Sequence, residues 1–152
     1  FCMRYSRYGC LAICLSALLL SCLTYDVVAG DGIIGLWKAF DDQGKPTGYI
    51  RIKEDQAGFA GVIEKGLESD KEEKYCHACK DGRKGQKLVG MTVLKGVKAK
   101  GEVFEGTEIL DPFSGNTYRV KLTLKAQGQK MDVRGFVGMS LFGRTQVWER
   151  VE

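Results

Sequence analysis

Histidine is nearly absent from this chain of 152 residues: His77 is the only one. Acid–base enzymes most often rely on imidazole, and a Ser-His-Asp arrangement would have to bring Ser114 or Ser140 to that single ring. Nothing in the spacing does so. Helical patterning is also missing. Apolar residues do not recur at three and four positions, and 20 glycines interrupt most windows. Charge is scarce in one-signed blocks. The net charge is only +4, with both signs interspersed. No basic stretch interleaved with aromatics and no phosphate-cradling glycine motif is present, which argues against nucleic acids and nucleotides as partners. The longest apolar run, residues 10–23, is fourteen residues, short of the roughly 20 needed to span a bilayer.

That run has the layout of a secretory leader. Arg4 and Arg7 precede it, and a polar stretch ending in Val-Val-Ala29 follows it. Cleavage after Ala29 is the expectation, leaving a single domain over residues 30–152 in the periplasm or outside the cell. The alternative is lipidation at Cys22, since Leu-Leu-Ser-Cys is a passable lipobox. Cleavage after Ala29 would leave 21 Lys plus Arg against 18 Asp plus Glu, and two of the six cysteines, Cys76 and Cys79.

What is abundant beyond the leader is alternation with period two. In Thr-Tyr-Arg-Val-Lys-Leu-Thr-Leu-Lys, Tyr118, Val120, Leu122 and Leu124 share one face, while Arg119, Lys121, Thr123 and Lys125 share the other. Ile50 and Ile52 alternate in the same way, as do Met131, Val133 and Val137. Such segments are half-buried antiparallel strands. Eight are expected, at 33–40, 47–54, 58–65, 88–95, 102–110, 116–125, 130–138 and 144–151. Turn-forming stretches such as Asp-Asp-Gln-Gly-Lys-Pro and Asp-Pro-Phe-Ser-Gly-Asn separate them. Short connections make hairpins. Eight hairpin-linked strands lose their exposed edges by closing into an all-β, antiparallel up-and-down barrel. A two-sheet sandwich is the alternative. A barrel of this size either fills with side chains or holds one small ligand.

The one long connection, 66–87, carries Cys76-His77-Ala78-Cys79. Haem attachment needs the histidine after the second cysteine, so it is excluded. Zinc would need a fourth ligand, and Cys76 and His77 are adjacent. A redox couple of the thioredoxin type needs a helix N-terminus. In an oxidising compartment the favoured state is a structural Cys76–Cys79 disulfide, a local clamp on a mobile segment, with His77 exposed. No metal, cofactor or catalytic residue is assigned. The adjacent carboxylates Asp41/Asp42 and Glu72/Glu73 fit a solvated surface.

In a closed barrel the first and last strands pair antiparallel. Trp37 of Gly-Leu-Trp-Lys should then lie beside Arg150 of Gln-Val-Trp-Glu-Arg-Val, with the guanidinium over the indole as a cation–π seal. The Gly-x-Trp opening resembles that of lipocalin and fatty-acid-binding barrels. The closing run resembles the last strand of fatty-acid-binding proteins. In those proteins an arginine two residues before the aromatic holds the fatty-acid carboxylate. Gln146 stands there in this chain, and a neutral amide makes no charge-assisted pair. The stretches Cys-His-Ala-Cys, Ile-Leu-Asp-Pro-Phe-Ser-Gly-Asn-Thr-Tyr and Val-Arg-Gly-Phe-Val-Gly-Met-Ser-Leu-Phe-Gly-Arg-Thr-Gln-Val-Trp are similar to the bacterial family called domain of unknown function 2147. That resemblance implies export and a compact barrel and brings no chemistry with it.

The functional expectation is a non-catalytic exported barrel that binds a small apolar or amphipathic molecule, possible lipids included. Ile50, Ile52, Tyr118, Val120, Leu122, Val133 and Trp148 should line it, with Gln146 as a polar contact. The alternative is an envelope protein-interaction module acting through its loops with a filled barrel; a redox or metal protein using Cys76-His77-Ala78-Cys79 is the least favoured reading. Met139, Leu141 and Phe142 sit between glycines in a turn. They would either mark a partner surface or fold back to cap the barrel, which the tendency of apolar residues to find a core favours.

Overall fold

The computed structural model describes residues 31–152 except 68, 70 and 71. The expected leader, its cleavage site and Cys22 therefore lie outside the described residues. Eight strands follow one another: β1 (Gly35–Phe40), β2 (Pro46–Asp55), β3 (Gly58–Lys65), β4 (Thr92–Lys100), β5 (Val103–Asp111), β6 (Asn116–Lys125), β7 (Lys130–Phe136) and β8 (Gly143–Arg150). Each pairs antiparallel with the next, and β1 pairs with β8, so the sheet closes into a barrel. The expected all-β, eight-stranded up-and-down architecture is the one observed.

Alternation drives the closure. Inward positions of β2 and β6, Ile50, Ile52, Val120 and Leu122, are buried, while Lys53, Thr117 and Arg119 on the other face are exposed. At one end the sheet turns through two short links, at 56–57 and 101–102, and the 3₁₀ turn Ala126–Gly128. The interior there is packed: Phe59 and Phe104 meet edge to face with centroids 6.1 Å apart. The loops at 41–45, 66–91, 112–115 and 137–142 all emerge at the other end.

β4 and β7 depart from the sequence pattern, and β1 opens at Gly35 rather than at residue 33. β4 was expected at 88–95 and runs from Thr92 to Lys100. Leu88 and Val89 look like a strand start, but a turn intervenes. Gly90 takes a positive φ of 92°, and its N–H donates to the Ile63 carbonyl at 2.7 Å. β7 ends at Phe136, so Val137 does not join Met131 and Val133 on the inner face; it is 70% exposed.

Residues 74–88 of the long connection are tied down by contacts of their own. Tyr75 and Lys87 form a bridge, and the Cys76 N–H donates to the Gln86 carbonyl at 2.8 Å. Cys76 and Cys79 are joined as a disulfide, and both are buried in the core cluster. Their turn rests on the β5–β6 loop. A Cβ on Gly115 would stand 1.8 Å from the Ala78 carbonyl oxygen, so glycine is needed for that close approach. Arg83 pins the far side, donating to Glu108 at 2.8 Å, and Lys80 donates to Asn116 at 2.5 Å. The disulfide is the local clamp expected, and its two cysteines are packed into the core cluster rather than lying on an exposed loop.

Candidate functional site

The inward side of β8 carries Arg144, Gln146, Trp148 and Arg150 in order from one end of the barrel to the other. Period two places them on one face, and each finds a different environment.

Arg150 belongs to the packed end. Its register partner is Trp37, and its guanidinium carbon lies 4.3 Å from the centre of the indole ring. The same group donates to the carbonyls of Gly128 at 2.7 Å and Ile34 at 2.8 Å, and to that of Gly32. No acidic side chain among the described residues pairs with it. Its positive charge is balanced by carbonyl dipoles and the ring face, and burial pulls its pKa below the ordinary value. The buried Trp37 indole N–H donates to the Ile33 carbonyl at 2.9 Å, the partner a buried indole requires. The expected cation–π contact is present, and it sits where the first and last strands meet.

Above this floor the barrel is hollow. A cavity of about 1140 Å³ opens through the loop-bearing end, a little above the roughly 300–1,000 Å³ usual for small-molecule pockets. Its walls include Ala39, Ile50, Ile63, Val93, Ile109, Tyr118, Val133 and Trp148, with Gln146 beside them. Gly135 on β7 contributes room. A Cβ there would meet Tyr118 and Ile109 at 3.6–3.8 Å, ordinary contact, so a side chain could start from this position without displacing its neighbours.

The mouth is polar and partly paired. Arg144 meets Asp42 at 3.1 Å. Lys87 pairs with Glu73, and this contact, followed by the Tyr75 hydroxyl, lowers the Glu73 pKa. Asp111 accepts from the Phe113 N–H at 2.9 Å and from the Ser114 hydroxyl at 2.6 Å, which fixes the β5–β6 turn. Apolar side chains stand among these charges: Phe113, Val137 and Phe142 line the mouth and are exposed, and Met139 and Leu141 are exposed on the same loop as Phe142.

Of the expected lining residues, Ile50, Tyr118, Val133, Gln146 and Trp148 face the cavity. Ile52, Val120 and Leu122 do not line it; they are fully buried in the packed half beneath. Alternation alone assigns a side to each residue, but not a depth along the barrel. Ala39, Ile63, Val93 and Ile109 went unassigned, although the same alternation on β1, β3, β4 and β5 marks their face. The 137–142 turn does not fold back as a cap: Phe142 stands at the cavity mouth, 71% exposed. Leu141 faces a separate shallow groove on the outer surface with Lys121, Asp132 and Arg134. His77 lines neither site. Among the described residues no three His, Cys, Asp or Glu side chains converge on a possible metal position.

A closed eight-stranded antiparallel barrel, sealed at one end and hollow at the other, is a lipocalin-like fold. The chain belongs to the family described as "Uncharacterized protein conserved in bacteria (DUF2147)", whose model matches residues 35–150. Among solved structures it is similar to protein HP1028 of Helicobacter pylori, described as belonging to the lipocalin family. The two share 15% sequence identity at a TM-score of 0.67, over 78% of this chain and 82% of that one. At that identity the likeness concerns the fold alone. No curated protein matches the sequence.

Proposed function

We propose that this protein is an exported carrier or sensor that takes a small apolar or amphipathic molecule into the open half of its barrel. The observation that carries this reading is the cavity of about 1140 Å³, apolar on its walls and open at one end. Its fit to a lipocalin-like fold supports the same reading, as lipocalins commonly hold a ligand in the barrel. Placement in the bacterial envelope rests on the leader-like layout of residues 1–29. At the mouth the Ser114 hydroxyl donates to Asp111, but no imidazole lines the cavity to complete a proton relay, and binding without turnover is the function proposed.

Gly135→Leu tests it. The new side chain projects into the hollow from a position whose Cβ fits without clash. It should abolish displacement of a fluorescent apolar probe and remove lipid adducts in native mass spectrometry, while the melting temperature holds or rises. Retained binding in a folded Gly135→Leu protein would refute occupancy of the cavity.

A second reading draws on the turn at 137–142, where Val137, Met139, Leu141 and Phe142 are all exposed. Apolar side chains clustered on one loop fit a partner surface. Pull-down from envelope extract with wild type and Phe142→Asp separates the two readings, because only the surface reading loses its partner in the variant.

A further inference from the structure

Given a ligand in this cavity, its polar end can be assigned from the wall. We infer that the cavity accepts molecules whose buried end is an uncharged hydrogen-bond acceptor, such as the carbonyl of an ester, ketone or amide, and discriminates against free carboxylates. This inference rests on the binding function proposed above and adds the chemical class of the ligand.

The charges that line the cavity all sit in the loops at the mouth or at the strand ends beside them. Arg144, the inward cation nearest the wall, is turned to Asp42 at the rim. Deeper, the lining is aliphatic or aromatic apart from Tyr118 and Gln146. An ionised carboxylate drawn that deep would lose its hydration with no cation to replace it, which is costly unless the group takes up a proton. A neutral carbonyl loses far less hydration and needs only a donor.

Donors are what the wall offers. The Trp148 indole N–H donates to Gln146 Oε1 at 3.3 Å. An indole nitrogen can only donate, so the oxygen of the Gln146 amide must be the atom that faces it. That contact fixes the amide's orientation and leaves its NH₂ group directed elsewhere, with no protein partner among the described residues. The Tyr118 hydroxyl likewise has no partner among them. No buried side-chain nitrogen or oxygen among the described residues is left without a partner, so these two groups are accessible, and they belong to residues that line the cavity. An amide NH₂, a hydroxyl able to donate as well as accept, and no cation in an apolar wall favour an acceptor without charge.

The test is displacement of N-phenyl-1-naphthylamine at pH 8 by chain-matched competitors: methyl dodecanoate, 2-tridecanone, dodecanoic acid and dodecane. The ester and ketone should displace the probe at least about tenfold better than the acid and measurably better than the alkane, a tenfold ratio being about 1.4 kcal/mol. Gln146→Leu should keep probe binding and erase the advantage of ester over alkane. Gln146→Arg should reverse the order in favour of the acid. Tyr118→Phe, which removes one donor with little change in volume, should lose part of the same advantage. Circular dichroism on each variant establishes that the barrel is intact. An acid that competes as well as the ester in wild type overturns this inference while leaving the cavity reading standing. If the probe itself does not bind and no competitor shifts the melting temperature, both fall together.

Discussion

The two ends of this barrel solve opposite problems with similar residues. At the packed end, Trp37 and Arg150 lie face to face, and every polar atom they bring has a protein partner. At the open end, Phe113, Met139, Leu141 and Phe142 stand in water, and the polar groups beneath them, Gln146 and Tyr118, keep capacity to spare. One half of the molecule is optimised to stay closed. The other forgoes apolar burial that a filled interior would have provided. Stability and function are therefore separated along the barrel axis, and the same strand, β8, contributes to both.

Changes at the packed end should have the largest effect. Trp37→Ala removes a fully buried indole and the platform for Arg150, and a loss of about 3–5 kcal/mol is expected from truncations of this kind. Urea or thermal denaturation would measure it. A loss below about 1 kcal/mol would mean that the barrel does not depend on this seal.

The Cys76–Cys79 clamp comes next. Replacing Cys76 and Cys79 together by serine removes a four-residue loop closure, worth about 2 kcal/mol in the chain-entropy picture. It also places two hydroxyls in the core cluster, so the total should exceed that figure. Hydrogen exchange should rise first across residues 74–88, with the strands of the packed end protected.

A smaller effect attaches to acid. Arg83 holds the Asp81 carboxyl down to about 2 in the folded protein. The unfolded value is near 3.9, so the folded pKa is the depressed one. The stabilisation is thus fully present above about pH 4 and is lost as pH falls through about 2. Asp81→Asn should flatten that part of the acid unfolding curve and leave neutral stability nearly unchanged, because the carboxylate is exposed.

Phe142→Asp should have the smallest effect on folding, within about 0.5 kcal/mol, since an exposed side chain is being exchanged for another. A marked fall in melting temperature would mean that the open end is structural after all and would erase the contrast between the two ends.

The sequence made the barrel readable because its interior is written in period two, and because Trp37 and Arg150 mark the strands that must meet. The favoured pairing of Cys76 with Cys79 matches the bond observed. What those residues touch was not legible. The close approach of Gly115 to Ala78 brings together residues 37 positions apart, and the glycine gives no local hint of its neighbour. β4 was displaced because Leu88 and Val89 imitate a strand until Gly90 turns the chain. The cavity was half legible. Period two separates inside from outside, but the floor falls between Ile50, which lines the hollow, and Ile52, which does not. That boundary depends on the volume of side chains from all eight strands.

The chain has two tryptophans, and they occupy the two compartments: Trp37 in the sealed floor and Trp148 on the cavity wall. The protein therefore carries its own pair of fluorophores, one a reference and one a sensor. Emission from Trp148 will shift or quench when a guest arrives beside it, whereas emission from Trp37 registers only whether the molecule is folded. A single spectrum can thus separate an occupied barrel from a damaged one without any attached dye.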